Sequence, residues 1–319
     1  MYNVEEYIEK CLKSLILQTF KDIEIYAISD GSPDQSEQIA REFAKQDSRI
    51  KVFSKENGGY GSVLEFAIQS IQTEYFIICD PDDWLEKDAI EILYNSAVMY
   101  QTDITLGNRY FVYIDDVNNK IIDDMPNSYY PKGNVVASGI EKDKYYLFSP
   151  TPHAKLFRTN VCKKIHFPKH VSFSDFTLFM LGLNNSHSVM YIDKPLANYL
   201  VDRPGNSMTD RRPKVVQDHI TVYYSVSDQA QLNNPYLKYR LYKEYLLIMF
   251  SHVNNSEKFF KKEILSQMND IRKEVKRFYK DIVNEVSLTQ SEKLKYFFTT
   301  HSKLTMMGCV LARWISNNK

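Results

Sequence analysis

Over the first hundred residues the apolar positions switch repeatedly between a period near 3.6 and a period of two. Leu12, Leu15 and Ile16 follow Asn3 and Glu6, which predicts a helix capped at Asn3 and running to about Gln18. The stretch DIEIYAISD (22–30) predicts a strand. Ser32-Pro33-Asp34-Gln35 then reads as an N-cap, a proline at the first helical position and a glutamine at the third. A helix through Ile39, Phe43 and Ala44 is expected from it. RIKVFSK (49–55) and EYFIICD (74–80) predict further strands, and 60–72 and 87–100 further helices. Strands alternating with helices imply right-handed crossovers, so the expected class is α/β with a mostly parallel sheet covered on both faces.

From about 105 to 210 this alternation gives way to short strands and loops rich in Asn, Asp, Pro and Tyr. From about 214 onward the pattern is helical, with Lys and Glu set against Tyr, Leu, Ile and Phe. The stretch from Asp210 to Pro213 is the expected boundary. The chain is therefore read as 1–105, 106–212 and a C-terminal helical region 213–319, with no repeat and no low-complexity tract.

Charge and composition narrow the function. Lys plus Arg and Asp plus Glu both number 40 in 319 residues, so the formal net charge is zero. A broad grip on nucleic acid needs a basic surface, and none is expected here. No run of 18 apolar residues marks a spanning helix. The first twenty residues, rich in Glu and Lys, do not show the pattern of a secretory signal. Cys11, Cys79, Cys162 and Cys309 are far apart and form no CxxC pair, and the first two sit inside apolar patterns. That usage suits a reduced, cytoplasmic protein.

In an open sheet ligands bind beyond the carboxyl ends of the strands. Two acidic turns fall at such ends: Asp30-Gly31-Ser32, and the sequence CDPDDW with Asp80, Asp82 and Asp83. Carboxylates crowded in this way repel one another unless a hard divalent cation lies among them. The plain alternative is that Asp80 ends a strand and Asp82 and Asp83 cap the helix that follows.

The ordered series of motifs resembles the start of a family 2 glycosyltransferase of the GT-A fold, of the bacterial surface-polysaccharide type. The matching residues are Tyr2-Asn3, Ser14-Leu15, Gln18-Thr19, Ser29-Asp30-Gly31-Ser32-Pro33-Asp34, ENGGYGS (56–62) and DPDDW (80–84). The resemblance implies a donor site containing Tyr2, Asp30, Asn57, Gly58, Asp80 and Arg203, with Tyr2 against the nucleotide base. It implies Asp82 and Asp83 as ligands of Mn²⁺ or Mg²⁺. HAKLFR (153–158) and FSDF (173–176) resemble the family's K-L-[YF]-[KR] segment and the acidic motif after it, which puts Asp175 in the place of the catalytic base. Spacing alone reads Asp175 as a helix N-cap. YLVDRPGNSMT (199–209) resembles the family's Y-x-x-R-x-G-S-x-[ST] loop, in which Arg203 holds the diphosphate or braces the loop.

Some positions depart from the family. Ser29 stands for the first Asp of D-D-G-S, Val63-Leu64-Glu65 for A-R-N, and Ser174 for a carboxylate before Asp175. Glu65 puts a negative charge beside an anionic donor. In the family a strand ending in P-V-Y-N comes first, and Met1 stands at the position of its Val. The resemblance thus implies an absent first strand of about eight to ten residues, from the usual strand length. His153, His166, His170 and His187 match no common zinc spacing and are read as structural. Leu304, Met307, Leu311 and Trp314 lie near helical spacing, and that face either docks on the protein's own core or rests on a membrane surface.

The function this implies is a metal-dependent, inverting transfer of sugar from a nucleotide-diphospho-sugar, a UDP-sugar first, to a hydroxyl of a glycan or lipid-linked acceptor. The expected setting is the cytoplasm, at the inner face of the plasma membrane if the C-terminal helix meets lipid. Two rivals stay open at this stage: a nucleotidyltransferase on a similar sheet, and a degenerate glycosyltransferase-like binding module.

Overall fold

A computed structural model describes residues 1–123, 134–204, 214–254 and 262–301. The chain divides into two compact units, Met1–Thr209 and Asp210–Lys319. The expected boundary at Asp210 to Pro213 and the apolar stretch 303–319 lie outside the described residues.

The first unit opens with α1 (Ile8–Ile16), β1 (Ile25–Ser29), α2 (Ser36–Gln46), β2 (Ile50–Ser54) and α3 (Tyr60–Ser70). Then come β3 (Tyr75–Ile77), β4 (Trp84–Leu85), α4 (Ala89–Tyr100), β5 (Ile104–Tyr113), β6 (Asp116–Ile122) and β7 (Val135–Ser138). The unit continues through α5 (Gly139–Asp143), β8 (Lys155–Arg158), α6 (Thr159–Cys162), α7 (Ser174–Asn185) and β9 (Ser188–Val201). β1 and β2 pair in parallel as a separate ladder, and the larger sheet runs β3-β8-β5-β9-β4, with β6 on β5 and β7 on β9. On its other edge β1 bonds to Met1, whose ammonium donates to the Ile28 carbonyl at 2.5 Å and whose carbonyl accepts from the Asp30 N–H at 3.0 Å.

The α/β class holds, but the share of parallel pairing is smaller than alternation alone implies. Among the described residues only β1–β2 and β5–β9 run parallel, and five other pairings are antiparallel. The region expected to hold short strands instead carries the two longest, β5 and β9. Their alternation is hidden because the β5–β9 register shifts on either side of Asn108 and β9 surfaces at Asp193 and Lys194.

Two helix starts also move. The first helix begins one turn later than expected: Asn3 adopts a positive φ of 52° and gives its N–H to Ser32 Oγ at 2.9 Å. α2 begins at Ser36, and Asp34 bonds onto Ser36 and Glu5 rather than lying inside the helix. Its carboxylate accepts from the Ser36 N–H at 3.1 Å, from the Ser36 hydroxyl at 2.7 Å and from the Glu5 N–H at 2.9 Å.

One core layer, with Val4, Ile8, Leu12, Ile25, Ala27, Ala40 and Ile50, closes α1 and α2 onto the short ladder. A second, with Leu93, Ala97, Leu156, Met190 and Leu196, lies between α4 and the large sheet. α7 is buried almost all round, through Phe176, Leu178, Phe179, Met180, Leu181 and Leu183, as expected of a helix without a polar face. The second unit holds α8 (Lys214–Ser227), α9 (Pro235–Asn254), α10 (Lys262–Arg277), α11 (Tyr279–Glu285) and α12 (Gln290–His301), packed around Tyr242, Tyr279 and Tyr296. Among the described residues no helix is long and apolar enough to cross a membrane.

The contact of α3 with the loop before α7 leaves no room for a side chain. A Cβ on Gly61 would stand 2.5 Å from the Pro168 carbonyl oxygen and 2.8 Å from Ser174 Oγ. Gly61→Ala is therefore expected to lower stability by about 1–3 kcal/mol, the usual cost of overpacking. Urea denaturation checks this, and an unchanged midpoint would mean that the loop yields.

Candidate active site

The site begins with a turn folded around one carboxylate. Asp30, 3% exposed, follows β1 directly. It accepts the Gly58 N–H at 3.0 Å and the Lys55 ammonium at 2.6 Å on one oxygen, and the Gly59 N–H at 2.8 Å on the other. The Asn57 amide donates to the Asp30 carbonyl at 2.9 Å. Lys55 spends its other protons on the Glu56 carbonyl at 2.7 Å and the Ser62 hydroxyl at 2.9 Å. Gly59 is required here: its φ is +79°, and a Cβ would lie 2.8 Å from His170 Cα. Asp30, Asn57 and Gly58 are thus brought together as the sequence implies, and Asp30 is the hub of the turn. Tyr2, half exposed, lies two residues before the Val4 that is buried in the adjoining core.

The acidic cluster follows β3. The Asp83 N–H closes a turn onto the Asp80 carbonyl at 2.9 Å, which points the two side chains inward together. Asp83, 3% exposed, accepts the Leu200 N–H on Oδ1 at 2.8 Å and meets His153 Nε2 at Oδ2 at 2.6 Å. Asp80, Asp83 and His153 each offer a ligand atom, all within 4.8 Å of one another. Burial, then the charges of Asp82, Asp83 and Asp175, push the Asp80 carboxyl well above the usual range. Burial and Asp82 push Asp83 the same way, against the Leu200 N–H and the cations Arg203 and Arg109. Two carboxylates in this condition suit a hard divalent cation, which offsets both desolvation and repulsion.

Asp82, expected beside the cation, is here the partner of Arg203, whose Nε donates to its carboxylate. The reason is positional. Arg203 follows β9, whose Asn198 and Ala197 pair with Trp84 and Leu85 just after Asp82. Its guanidinium also lies 5.5 Å from the Tyr7 ring, a cation–π contact. The structure groups Asp80, rather than Asp82, with Asp83.

Asp175 stands in the first turn of α7, and the N-cap is Phe173, with φ 65°. The reading of Asp175 as a cap therefore falls. A carboxylate in that turn is favoured by the helix dipole. It acts electrostatically on Asp80 and on Tyr60, whose phenol burial and the charges of Asp80 and Asp175 push well above its usual range. Glu65, one turn further along α3, faces His166, with 3.5 Å between Oε1 and Nδ1.

Four residues of the site were not legible in the sequence. Lys55, Tyr60, Arg109 and His153 fit no motif of their own, although Lys55 and Tyr60 flank the E-N-G-G turn and His153 lies two residues before the Lys of K-L-F-R. Arg109 carried no signal. Its place beside His153 comes from the pairing of β5 with β6 and β8, which brings Asp123 and the residues before Lys155 to it.

A sequence profile described as Glycosyl transferase family 2 matches residues 1–165. The glycosyltransferase GlyA of Streptococcus pneumoniae is 44% identical over 110 residues, which is 34% of this chain but only 16% of GlyA. EpsH of Bacillus subtilis is 31% identical over 265 residues, covering 79% of this chain and 74% of EpsH. Among solved structures, S. aureus TarS 1-349 in complex with UDP-GlcNAc is similar in fold, with TM-score 0.68 and 20% identity over 97% of this chain and 90% of that one.

The Asp30 hub generates its own test. Lys55→Met removes the cation from a buried carboxylate and leaves two backbone donors to hold it. A loss of about 1.5–3 kcal/mol is expected, the range for a hydrogen bond to a charged group. Guanidinium denaturation of parent and variant reads it, and equal midpoints would show the pair to be idle.

Proposed function

The chain belongs to glycosyl transferase family 2 and is a glycosyltransferase, and on that premise we propose that it moves a sugar from a nucleotide-diphospho-sugar to an acceptor hydroxyl with inversion, using a divalent cation. The observation that carries this reading is the gathering of Asp80, Asp83 and Asp175 within electrostatic reach beyond the end of β3. A capped turn has no use for such a gathering.

Asp80 and Asp83 are the carboxylates that would hold Mn²⁺ or Mg²⁺. When bound, the cation supplies positive charge against the negative charge that develops on a departing diphosphate. Arg203 neutralises Asp82, and its guanidinium fork is the group proposed to meet the diphosphate, where bidentate contact is strongest. Asp30, Asn57 and Gly58 shape the floor on which the nucleoside rests, with Tyr2 beside it. A UDP-sugar is the proposed donor, as the structurally similar TarS 1-349 has been solved in complex with UDP-GlcNAc.

Asp175 is the proposed base. It takes the proton of the acceptor hydroxyl as that oxygen attacks the anomeric carbon opposite the leaving diphosphate. A single displacement of this kind inverts the configuration and needs no covalent enzyme intermediate. Glu65, turned to His166, does not join the carboxylates of the cluster. The acceptor is proposed to be a glycan or lipid-linked glycan of a cell-surface polysaccharide, worked on in the cytoplasm. Family membership weighs against the nucleotidyltransferase, and the carboxylates retained at Asp80, Asp83 and Asp175 support an active enzyme over a degenerate module.

Two outcomes are expected. Asp175→Asn keeps shape and hydrogen bonding but cannot take the proton, so transfer should fall by about 10²–10⁴-fold with donor affinity nearly unchanged. Nucleotide release and equilibrium donor binding measure the two separately, and near-parental transfer would move the base elsewhere. Chelation with EDTA should abolish tight UDP binding, and added Mn²⁺ should restore it. Binding indifferent to both would remove the cation from the site.

A further inference from the structure

His153 joins Asp80 and Asp83 by distance, but its hydrogen bonds give it another role. Its Nδ1 lies 3.0 Å from Arg109 Nη1. A guanidinium nitrogen can only donate, so Nδ1 must present a lone pair. The proton of the imidazole is then on Nε2, which donates to Asp83 Oδ2 at 2.6 Å.

Arg109 cannot easily turn away. Its Nε donates to Asp123 at 3.0 Å and Nη2 lies 2.9 Å from the same carboxylate. Nη2 also donates to Ser149 at 3.4 Å, and Nη1 donates to the Thr151 hydroxyl as well as to His153. Four N–H groups of the fork are thus committed to hydrogen bonds, and Nη2 is held further by the ion pair with Asp123. The Tyr199 ring packs on the imidazole at 4.6 Å and on the guanidinium at 5.5 Å, which holds both planes.

A histidine that binds a metal usually donates its other ring N–H to a carboxylate, a carbonyl or water. Here the other nitrogen faces a donor. Ligation through Nε2 would leave both ring nitrogens without protons, an imidazolate, or would set two N–H groups against each other at 3.0 Å. Asp83, by contrast, is held at both oxygens, by Leu200 and by His153, and keeps a further lone pair on each.

We propose that His153 is a positioning residue that aims the Asp83 carboxylate through an Arg109-enforced Nε2–H tautomer, and that it is not itself a ligand of the cation. The role at the cation rests on the reading that Asp80 and Asp83 hold one, whereas the tautomer does not. The first arm of the test is long-range ¹H–¹⁵N NMR of the full chain labelled at histidine, with His153→Gln to assign the signal. Nδ1 should resonate as an unprotonated nitrogen and Nε2 as a protonated one, and added Mg²⁺ should leave the Nε2 proton in place. An Nδ1–H tautomer, or loss of the Nε2 proton on adding Mg²⁺, would overturn the proposal.

The second arm is Mn²⁺ affinity, read from the EPR signal of the free ion in variants that unfold at the parental temperature. His153→Ala should weaken Mn²⁺ by about 10–100-fold, as loss of an outer-shell partner does. His153→Gln should stay near the parent, because its amide can donate to Asp83 while its carbonyl accepts from Arg109. Equal losses in the two variants would make His153 a ligand. A parent that takes up no Mn²⁺ would sink the cation reading instead, and the NMR arm would still decide what His153 does for Asp83.

Discussion

The repulsion among Asp80, Asp82 and Asp83 is the constraint around which this fold is arranged. Two unit charges 4 Å apart in a partly buried site interact by about 4 kcal/mol at an effective dielectric near 20. That is a large share of the stability of a typical domain. Each carboxylate has therefore been given a different answer. Asp82 is paired with Arg203, Asp83 is held by Leu200 and His153, and Asp80 is pushed well above its ordinary range by burial and by its acidic neighbours. The compensating groups come from the end of β9, the residues before β8 and the middle of β5. The acidic loop is thus balanced by groups that only the assembled larger sheet brings to it.

The donor side is organised differently. There a single buried carboxylate, Asp30, draws in two backbone N–H groups and one ammonium, and the turn at 57–59 forms around it. Backbone donors bend the chain tightly because they carry no side chain, and Gly59 permits the φ that this bend requires. The same turn launches α3, whose Gly61 lies flush against the loop that delivers Asp175. A glycine contact thus connects the Asp30 turn to the start of α7, which carries the candidate base.

Metal sites are recognised too easily by proximity. Asp80, Asp83 and His153 lie close enough to bind one ion together, yet the proposed role of His153 follows from the guanidinium set behind its imidazole. Hydrogen-bond polarity, read outward from a group that can only donate, separates a ligand from the residue that aims a ligand.

The sequence by itself determined the elements whose apolar spacing is local: the strands at 25–29, 50–54 and 75–77, the helices after them, and the helical stretch beyond 214. It also determined the family and most of the site candidates, because Asp30, the E-N-G-G turn and the DPDDW loop sit at strand ends in fixed order. Only the tertiary structure decided pairing direction, since antiparallel β8 and parallel β9 both reach β5 from distant parts of the chain. It alone gave Arg203 to Asp82 and Arg109 to His153, pairs separated by 121 and 44 positions. Periodicity carries information over one or two turns of helix or strand. A charge pair across the sheet depends on the register of strands that no local pattern contains.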